Sequence, residues 1–148
     1  MKTWVAVVNR REARVFEINE KYTNGHGRDH QKLKLVQKLE NTLEGVRNVE
    51  IETDRRLTQA PKERVAEMFA KDISAALEKG HNEHLFQDLI LVVEPHFLGK
   101  VRAALSKKTF KTISDTLHKD LAHVADHDIA GFIWPKTEAA FEEVSPTV

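Results

Sequence analysis

The fold is decided by one stretch, residues 89–105, which reads LILVVEPHFLGKVRAAL. Its first five residues form a continuous apolar run, which is typical of a strand that is covered on both faces. Glu94 and Pro95 end that run. Apolar residues then recur at helical spacing, at Phe97, Leu98, Val101, Ala104 and Leu105. Because residues 113–118 form the next strand candidate, the order predicts a right-handed crossover onto a parallel neighbour.

The first forty residues predict three strands. Trp4–Val8 and Ala13–Ile18 are rich in Val and Ile, and the short polar link Asn9–Glu12 joins them as a hairpin requires. Lys32–Leu39 alternates and is predicted to be a half-buried strand. One side of this strand is expected to carry Leu33, Leu35 and Leu39, and the other Lys34 and Lys38. The segment therefore predicts an antiparallel N-terminal meander.

The clearest helix is predicted over Pro61–Lys79. Its apolar stripe repeats every four residues and is formed by Val65, Phe69, Ile73 and Leu77, joined by Met68 and Ala76. Pro61 suits the first turn, and Gly80 suits the C-terminal cap. A shorter last helix is predicted over Asp126–Phe132.

The segment before that helix, Asn41–Gln59, is polar and charged and predicts a long loop with a short strand around residues 49–51. Its cations form the densest exposed positive charge that the sequence offers: Arg47, Arg55 and Arg56. Carboxylates lie among these cations, so a solvated loop and a basic binding surface are both consistent with the pattern.

Taken together, the elements predict an α/β class domain, a mixed sheet with flanking helices. One domain is expected over residues 1–134, followed by a loosely held C-terminal tail over 135–148. The chain has 148 residues, with 23 Lys and Arg against 23 Asp and Glu, so its charges supply no overall field for a polyanion or a membrane. We expect a soluble cytoplasmic protein with no membrane partner, since no signal or spanning segment is evident.

Four blocks resemble one known family when they are taken in order. They are residues 3–8 with 12–16, 68–73, 89–105, and the Leu-His-Lys-Asp-Leu sequence at 117–121. Over residues 3–133 the chain resembles the bacterial host-attachment proteins, also called proteins required for attachment to host cells. That family typically carries a glycine in an Asp-Arg segment before the central helix, and residues 53–57 occupy this place without the glycine.

The resemblance implies a fold similar to the middle domain of peptide-release factors, which has a ribonuclease-H-like core. Release chemistry in those factors depends on a Gly-Gly-Gln loop, and this sequence has no Gly-Gly pair. We therefore do not expect this chain to hydrolyse peptidyl-tRNA as the release factors do. The family name implies a role in attachment to host cells, which we expect to be indirect for a protein that stays inside the cell.

The search for catalytic chemistry identifies no constellation. The chain has no cysteine, which excludes disulfides, Cys-zinc sites and thiol catalysis. His123 and His127 lie four residues apart, a spacing that would let them share a cation on one helix, but we expect them to be surface histidines. Glu94 and Asp120 follow strand candidates, and no third carboxylate joins them to hold a catalytic metal. We therefore expect no catalytic residue, no metal and no cofactor, and the alternative is a metal-dependent nuclease or phosphoesterase.

A binding site is expected from the architecture alone, because ligands of open α/β sheets favour the crevice beyond the carboxyl ends of the strands. Backbone amides at the helix start after Glu94, with nearby cations, would suit a phosphate. The candidate ligand- or RNA-binding residues are Arg55, Arg56, Glu94, His96, Lys100, Arg102 and Asp120. The predicted function is a non-catalytic binding module, and RNA, ribosomes and a protein partner all remain open as partners.

Overall fold

A five-stranded sheet organises the part of the chain that the computed structural model describes, which is residues 1–19, 32–43 and 61–135. The strands are β1 (Thr3–Val8), β2 (Glu12–Asn19), β3 (Lys32–Glu40), β4 (Asp88–Val93) and β5 (Ile113–His118), in the order β3-β2-β1-β4-β5. β1 and β3 are both antiparallel to β2, which confirms the meander. β4 is parallel to both β1 and β5, so these three strands end at the same edge of the sheet.

Four α-helices accompany the sheet in the described residues. They are α1 (Pro61–Asn82), α2 (Leu98–Ala104), α3 (Lys107–Phe110) and α4 (Ile129–Ile133). Short 3-10 turns precede α2 and α4, at Pro95–Phe97 and Asp126–Asp128. The predicted helices are therefore confirmed, with shifted ends. α3 was not predicted, because four residues are too few to establish a helical period.

Apolar side chains cover both faces of the sheet. On one face, the stripe of α1 and the buried residues Phe97 and Val101 pack against the sheet. The other face is covered by the C-terminal segment, through Leu121, Ile129 and Ile133. β4 contributes to both layers, which confirms that it is a central strand. Met68, which we had assigned to the stripe of α1, is instead 39% exposed.

A β-bulge corrects the predicted pattern of β3. Gln37 pairs with Val15 and Leu35 pairs with Phe16, so Val36 is an extra residue in the ladder. The bulge reverses which face the following side chains occupy. As a result Leu33 packs with the C-terminal layer, Leu39 packs with the α1 layer, and Leu35 is 41% exposed. The prediction that these leucines share one side was wrong.

The prediction that Gly80 caps α1 was wrong, because Gly80 lies buried within the helix. A Cβ atom built at this position would come within 2.5 Å of Cη2 of Trp4. The helix ends instead at Asn82, and His84, two residues later, has a positive φ of 62°. The Leu85 amide donates to the Gly80 carbonyl (2.9 Å) and the His84 amide donates to the His81 carbonyl (3.0 Å), which is the bond pattern of a Schellman motif.

Gly80→Ala is expected to lower the free energy of unfolding by about 1–3 kcal/mol, because the added methyl group overpacks the contact with the indole ring. The better helix propensity of alanine, about 1 kcal/mol, offsets only part of the overpacking cost. Gly99→Ala in α2 is the matched control, since nothing lies within 4 Å of its Cβ position. Denaturant midpoints measure both variants, and an unchanged midpoint for Gly80→Ala would contradict the packing described.

Several sequence predictions fall outside the described residues. They concern most of the long loop from residue 44 onward, its strand at 49–51, Arg55 and Arg56, and the tail after residue 135. Among the helices that the structure describes, none combines the length and the apolar character needed to cross a bilayer.

Candidate functional site

The carboxyl ends of β1, β4 and β5 meet at one pocket of about 340 Å³, which we call the strand-end pocket. It is lined by Asn9, Arg10, Arg11, Glu94, Asp120, Ala122 and His123. The first three follow β1, Glu94 follows β4, and the others follow β5. The pocket lies where parallel strands of an α/β sheet present their loops to ligands.

Asn9 fixes the turn that leaves β1. Its Oδ1 atom accepts hydrogen bonds from the backbone amides of Arg11 (2.8 Å) and Glu12 (3.1 Å), as in an Asx turn. The residue is only 6% exposed. Its Nδ2 atom is buried and has no partner in the described part of the chain. An unpaired buried donor costs about 1–3 kcal/mol, so an oxygen supplied to the pocket would relieve that cost.

Glu63 of α1 holds two cations beside the pocket. Its carboxylate lies 2.8 Å from Nζ of Lys100 and 3.5 Å from Nη2 of Arg10. The hydrogen bond and charge of Lys100, followed by those of Arg10, lower the pKa of Glu63 below its usual value. Lys100 is therefore engaged in an ion pair. The second terminal nitrogen of Arg10, Nη1, is buried and has no partner within the described residues.

Among the described residues, the two carboxylates of the strand-end pocket accept hydrogen bonds only from local backbone amides. Glu94 accepts from the amide of His96 (2.8 Å), and Asp120 accepts from the amide of Ala122 (3.1 Å). One of the helix-start amides that we expected to hold phosphate is thus already bonded to Glu94. Neither carboxylate has a cation partner among the residues that the structure describes.

No group of three metal-ligating side chains occurs within residues 1–19, 32–43 and 61–135. His123 lies in a turn and His127 lies in the 3-10 turn before α4, so the two imidazoles do not share a helix. His127 contacts the neighbouring Asp128 at 3.5 Å and is largely exposed.

A second depression, of about 330 Å³, lies on the surface of α2 and α3. It is lined by Arg102, Leu105, Lys107, Phe110 and Lys111, which we call the α2–α3 patch. The ring of Phe110 is 50% exposed. The three cations form no side-chain ion pair or hydrogen bond with any described residue. The patch therefore combines an open aromatic surface with unpaired positive charge.

α3 is held in a fixed position under this surface. Oγ of Ser106 accepts from the amide of Thr109 (3.1 Å) and caps the helix, and Thr109 itself is fully buried. Nζ of Lys108 donates to Oδ1 of Asn82 at the end of α1 (2.7 Å). With Thr109 directed inward and Lys108 bound to α1, Phe110 is left at the surface.

The structure distributes the sequence-predicted site residues over several places. Glu94 and Asp120 meet in the strand-end pocket, while Lys100 is bound to Glu63 and Arg102 belongs to the α2–α3 patch. His96 is exposed, and Arg55 and Arg56 lie outside the described residues.

Sequence reasoning missed two groups of residues. It treated Asn9–Arg11 only as a hairpin link, although these residues follow a strand that is parallel to β4. It also passed over residues 107–111, where the sequence Lys-Lys-Thr-Phe-Lys surrounds an aromatic with cations. That run was a usable signal for the α2–α3 patch.

The class defined by this architecture is α/β, with a mixed five-stranded sheet and helices on both faces. The family model for "Protein required for attachment to host cells" matches residues 4–132. The chain belongs to this family. No curated protein matches the chain.

Two solved structures are similar to this chain at low sequence identity. One, titled "Archaeal protein", is 10% identical with a TM-score of 0.46, over 95% of this chain and 38% of that one. The other is the Ppx/GppA phosphatase of Aquifex aeolicus, in a type II variant, which is 12% identical with a TM-score of 0.42 over 80% of this chain and 36% of its own. The chain thus spans less than two fifths of either structure.

Proposed function

We propose that this protein is a non-catalytic cytoplasmic binding module that contacts RNA through the α2–α3 patch. Its role in attachment to host cells would then be indirect, through the RNA or ribosomes that it binds. The observation that carries the proposal is the half-exposed Phe110 ring flanked by the unpaired Arg102, Lys107 and Lys111. The release-factor-like, ribonuclease-H-like fold implied by the family resemblance supports this partner class by analogy.

The chemistry of the patch suits an unpaired nucleic-acid strand. Cations attract the phosphate backbone, and an exposed aromatic ring stacks on a base, which contributes about 1–3 kcal/mol per base. Because the whole chain has no net charge, binding must come from a local surface, and the α2–α3 patch is such a surface. With about 0.7 counterions released per phosphate contact on a single strand, three cations give a logarithmic salt slope of about −2.

Phe110→Ala is expected to weaken binding of a labelled single-stranded RNA by roughly 5- to 150-fold, because the stacking surface is lost. Arg102→Ala should weaken binding less and reduce the salt slope by about 0.7. Lys62→Ala is the matched control, since Lys62 is an exposed cation on α1 outside the patch. Fluorescence anisotropy at several salt concentrations measures both affinity and slope.

Two results would contradict the proposal. If the wild-type protein binds no RNA at low salt, the RNA contact is wrong and a protein partner becomes the leading hypothesis. If added magnesium or manganese produces RNA cleavage that co-purifies with the protein, the non-catalytic assignment is wrong. In that case a metal-dependent nuclease or phosphoesterase would be indicated, and Glu94 and Asp120 would be the first residues to replace because they share the strand-end pocket.

A further inference from the structure

We propose that the strand-end pocket binds a small zwitterion, with a free α-amino acid as the chemical class. The site is independent of the proposed RNA contact, because the strand-end pocket and the α2–α3 patch share no lining residue. The inference rests on two sets of groups that line the same pocket, hydrogen-bond donors and carboxylates. These two sets form no hydrogen bond or ion pair with each other in the described residues.

The donors come from the turn after β1. Nδ2 of Asn9 and Nη1 of Arg10 are buried without a partner in the described part of the chain. The Asn9 amide cannot flip to put its oxygen in the place of this donor, since its Oδ1 atom already accepts two backbone hydrogen bonds. Arg11 is exposed and adds a guanidinium whose side chain has no partner among the described residues. Arg11 can bind a carboxylate through two parallel hydrogen bonds, whereas Arg10 offers only Nη1, because its Nη2 atom is paired with Glu63.

The acceptors come from the turns after β4 and β5. Glu94 and Asp120 each accept one local backbone hydrogen bond, and no cation in the described residues neutralises either of them. An ammonium group supplies three donors and a positive charge, so it satisfies carboxylates that a neutral or anionic ligand leaves unpaired.

Charge balance favours a zwitterion over a simple anion. The lining holds two cations, Arg10 and Arg11, and two carboxylates, Glu94 and Asp120, so it carries no net charge with His123 neutral, although these four groups form no ion pair with each other. A ligand with one positive and one negative group keeps that balance, whereas a phosphate dianion would add charge beside two carboxylates. The volume of about 340 Å³ lies at the lower end of the range for small-molecule sites, which fits a ligand of this size.

The test is calorimetric titration of the full chain with the common L-amino acids, inorganic phosphate and, for the best ligand, its N-acetyl and amide derivatives. Each derivative removes one charge of the zwitterion and should bind at least about tenfold more weakly, as expected when a charge-assisted hydrogen bond is lost. Asn9→Asp preserves the turn but replaces the donor with an anion, and Arg11→Ala removes an exposed cation. Both substitutions should weaken binding of the free amino acid more than binding of its amide derivative, because the amide derivative no longer presents a carboxylate to the altered side chains.

Glu94→Gln and Asp120→Asn should have the complementary effect, weakening the free amino acid more than its N-acetyl form. Lys62→Ala is the control, because Lys62 is an exposed cation on α1 that lines neither the strand-end pocket nor the α2–α3 patch, and it should leave amino-acid binding unchanged. Binding of no amino acid at millimolar concentration would overturn the proposal. So would equal binding of the blocked derivatives, or tighter binding of inorganic phosphate. Circular dichroism identifies any variant that fails to fold, and the ligand derivatives then test the proposal on the wild-type protein.

Discussion

Phe69→Ala is expected to lower the free energy of unfolding by about 3–5 kcal/mol. Phe69 is 3% exposed and lies in the middle of the buried stripe of α1. Its ring is stacked on that of Phe97, with the ring centres 6.4 Å apart and the planes inclined by 19°. Truncation removes this aromatic contact and leaves a cavity between α1 and the start of α2, and both losses destabilise the folded state.

Denaturant midpoints of the two proteins measure this effect. Phe132→Ala in α4 is the matched control, because it makes the same chemical change at a ring that is 45% exposed. We expect the control to cost less than about 1 kcal/mol, since surface substitutions usually have small effects. A comparably small loss for Phe69→Ala would show that the apolar stripe of α1 does not pack against the sheet as described.

Arg14→Ala is expected to lower the free energy of unfolding by about 3–5 kcal/mol, because it breaks a buried, charged network. Arg14 lies on β2 and is 5% exposed. Its terminal nitrogens donate to the carbonyls of Leu121 and Val124, at 2.7 Å each, and to Asp126 at 2.8 Å. Its Nε atom lies 3.0 Å from the carboxylate of Glu12. One side chain therefore binds the C-terminal layer to the sheet.

The planar fork of the guanidinium explains why lysine should not replace it. Arg14→Lys keeps the charge but cannot reach three acceptors in this geometry, so an intermediate loss is expected. Arg11→Ala, at a nearby exposed arginine, should be close to neutral. Hydrogen exchange of residues 119–134 gives a second readout, since these amides should open more readily in Arg14→Ala. Unchanged exchange together with a loss below about 1 kcal/mol would mean that the network does not hold the segment.

The elements that the sequence predicted correctly are those whose signal is local. The apolar run of β4 and the four-residue repeat of α1 are written in consecutive residues, so periodicity alone identified them. The errors arise where the local structure depends on a residue that is distant in the sequence. Gly80 looked like a helix cap because only the fold brings the ring of Trp4 against it. The bulge at Val36 depends on pairing with β2, which the sequence of β3 does not reveal.

The same distinction applies to the candidate sites. The strand-end rule led to Glu94, because a carboxylate directly after a buried strand is visible in the sequence. The pairing of Lys100 with Glu63 was not predictable, since it requires α1 and α2 to be in contact. Asn9 was missed for a similar reason, because its unpaired nitrogen becomes apparent only when the hydrogen bonds of its turn are known.

The position of β1 between β2 and β4 has a consequence for how the chain is made. Thr3 pairs with Asp88, 85 residues later in the sequence. At a synthesis rate of 5–20 residues per second, β1 leaves the ribosome roughly 4–17 s before its parallel neighbour β4 leaves it. Hairpins form within microseconds, so β1 and β2 pair long before that moment. During this interval the second edge of β1 is open to any other nascent strand, and its exposure is set by the speed of translation.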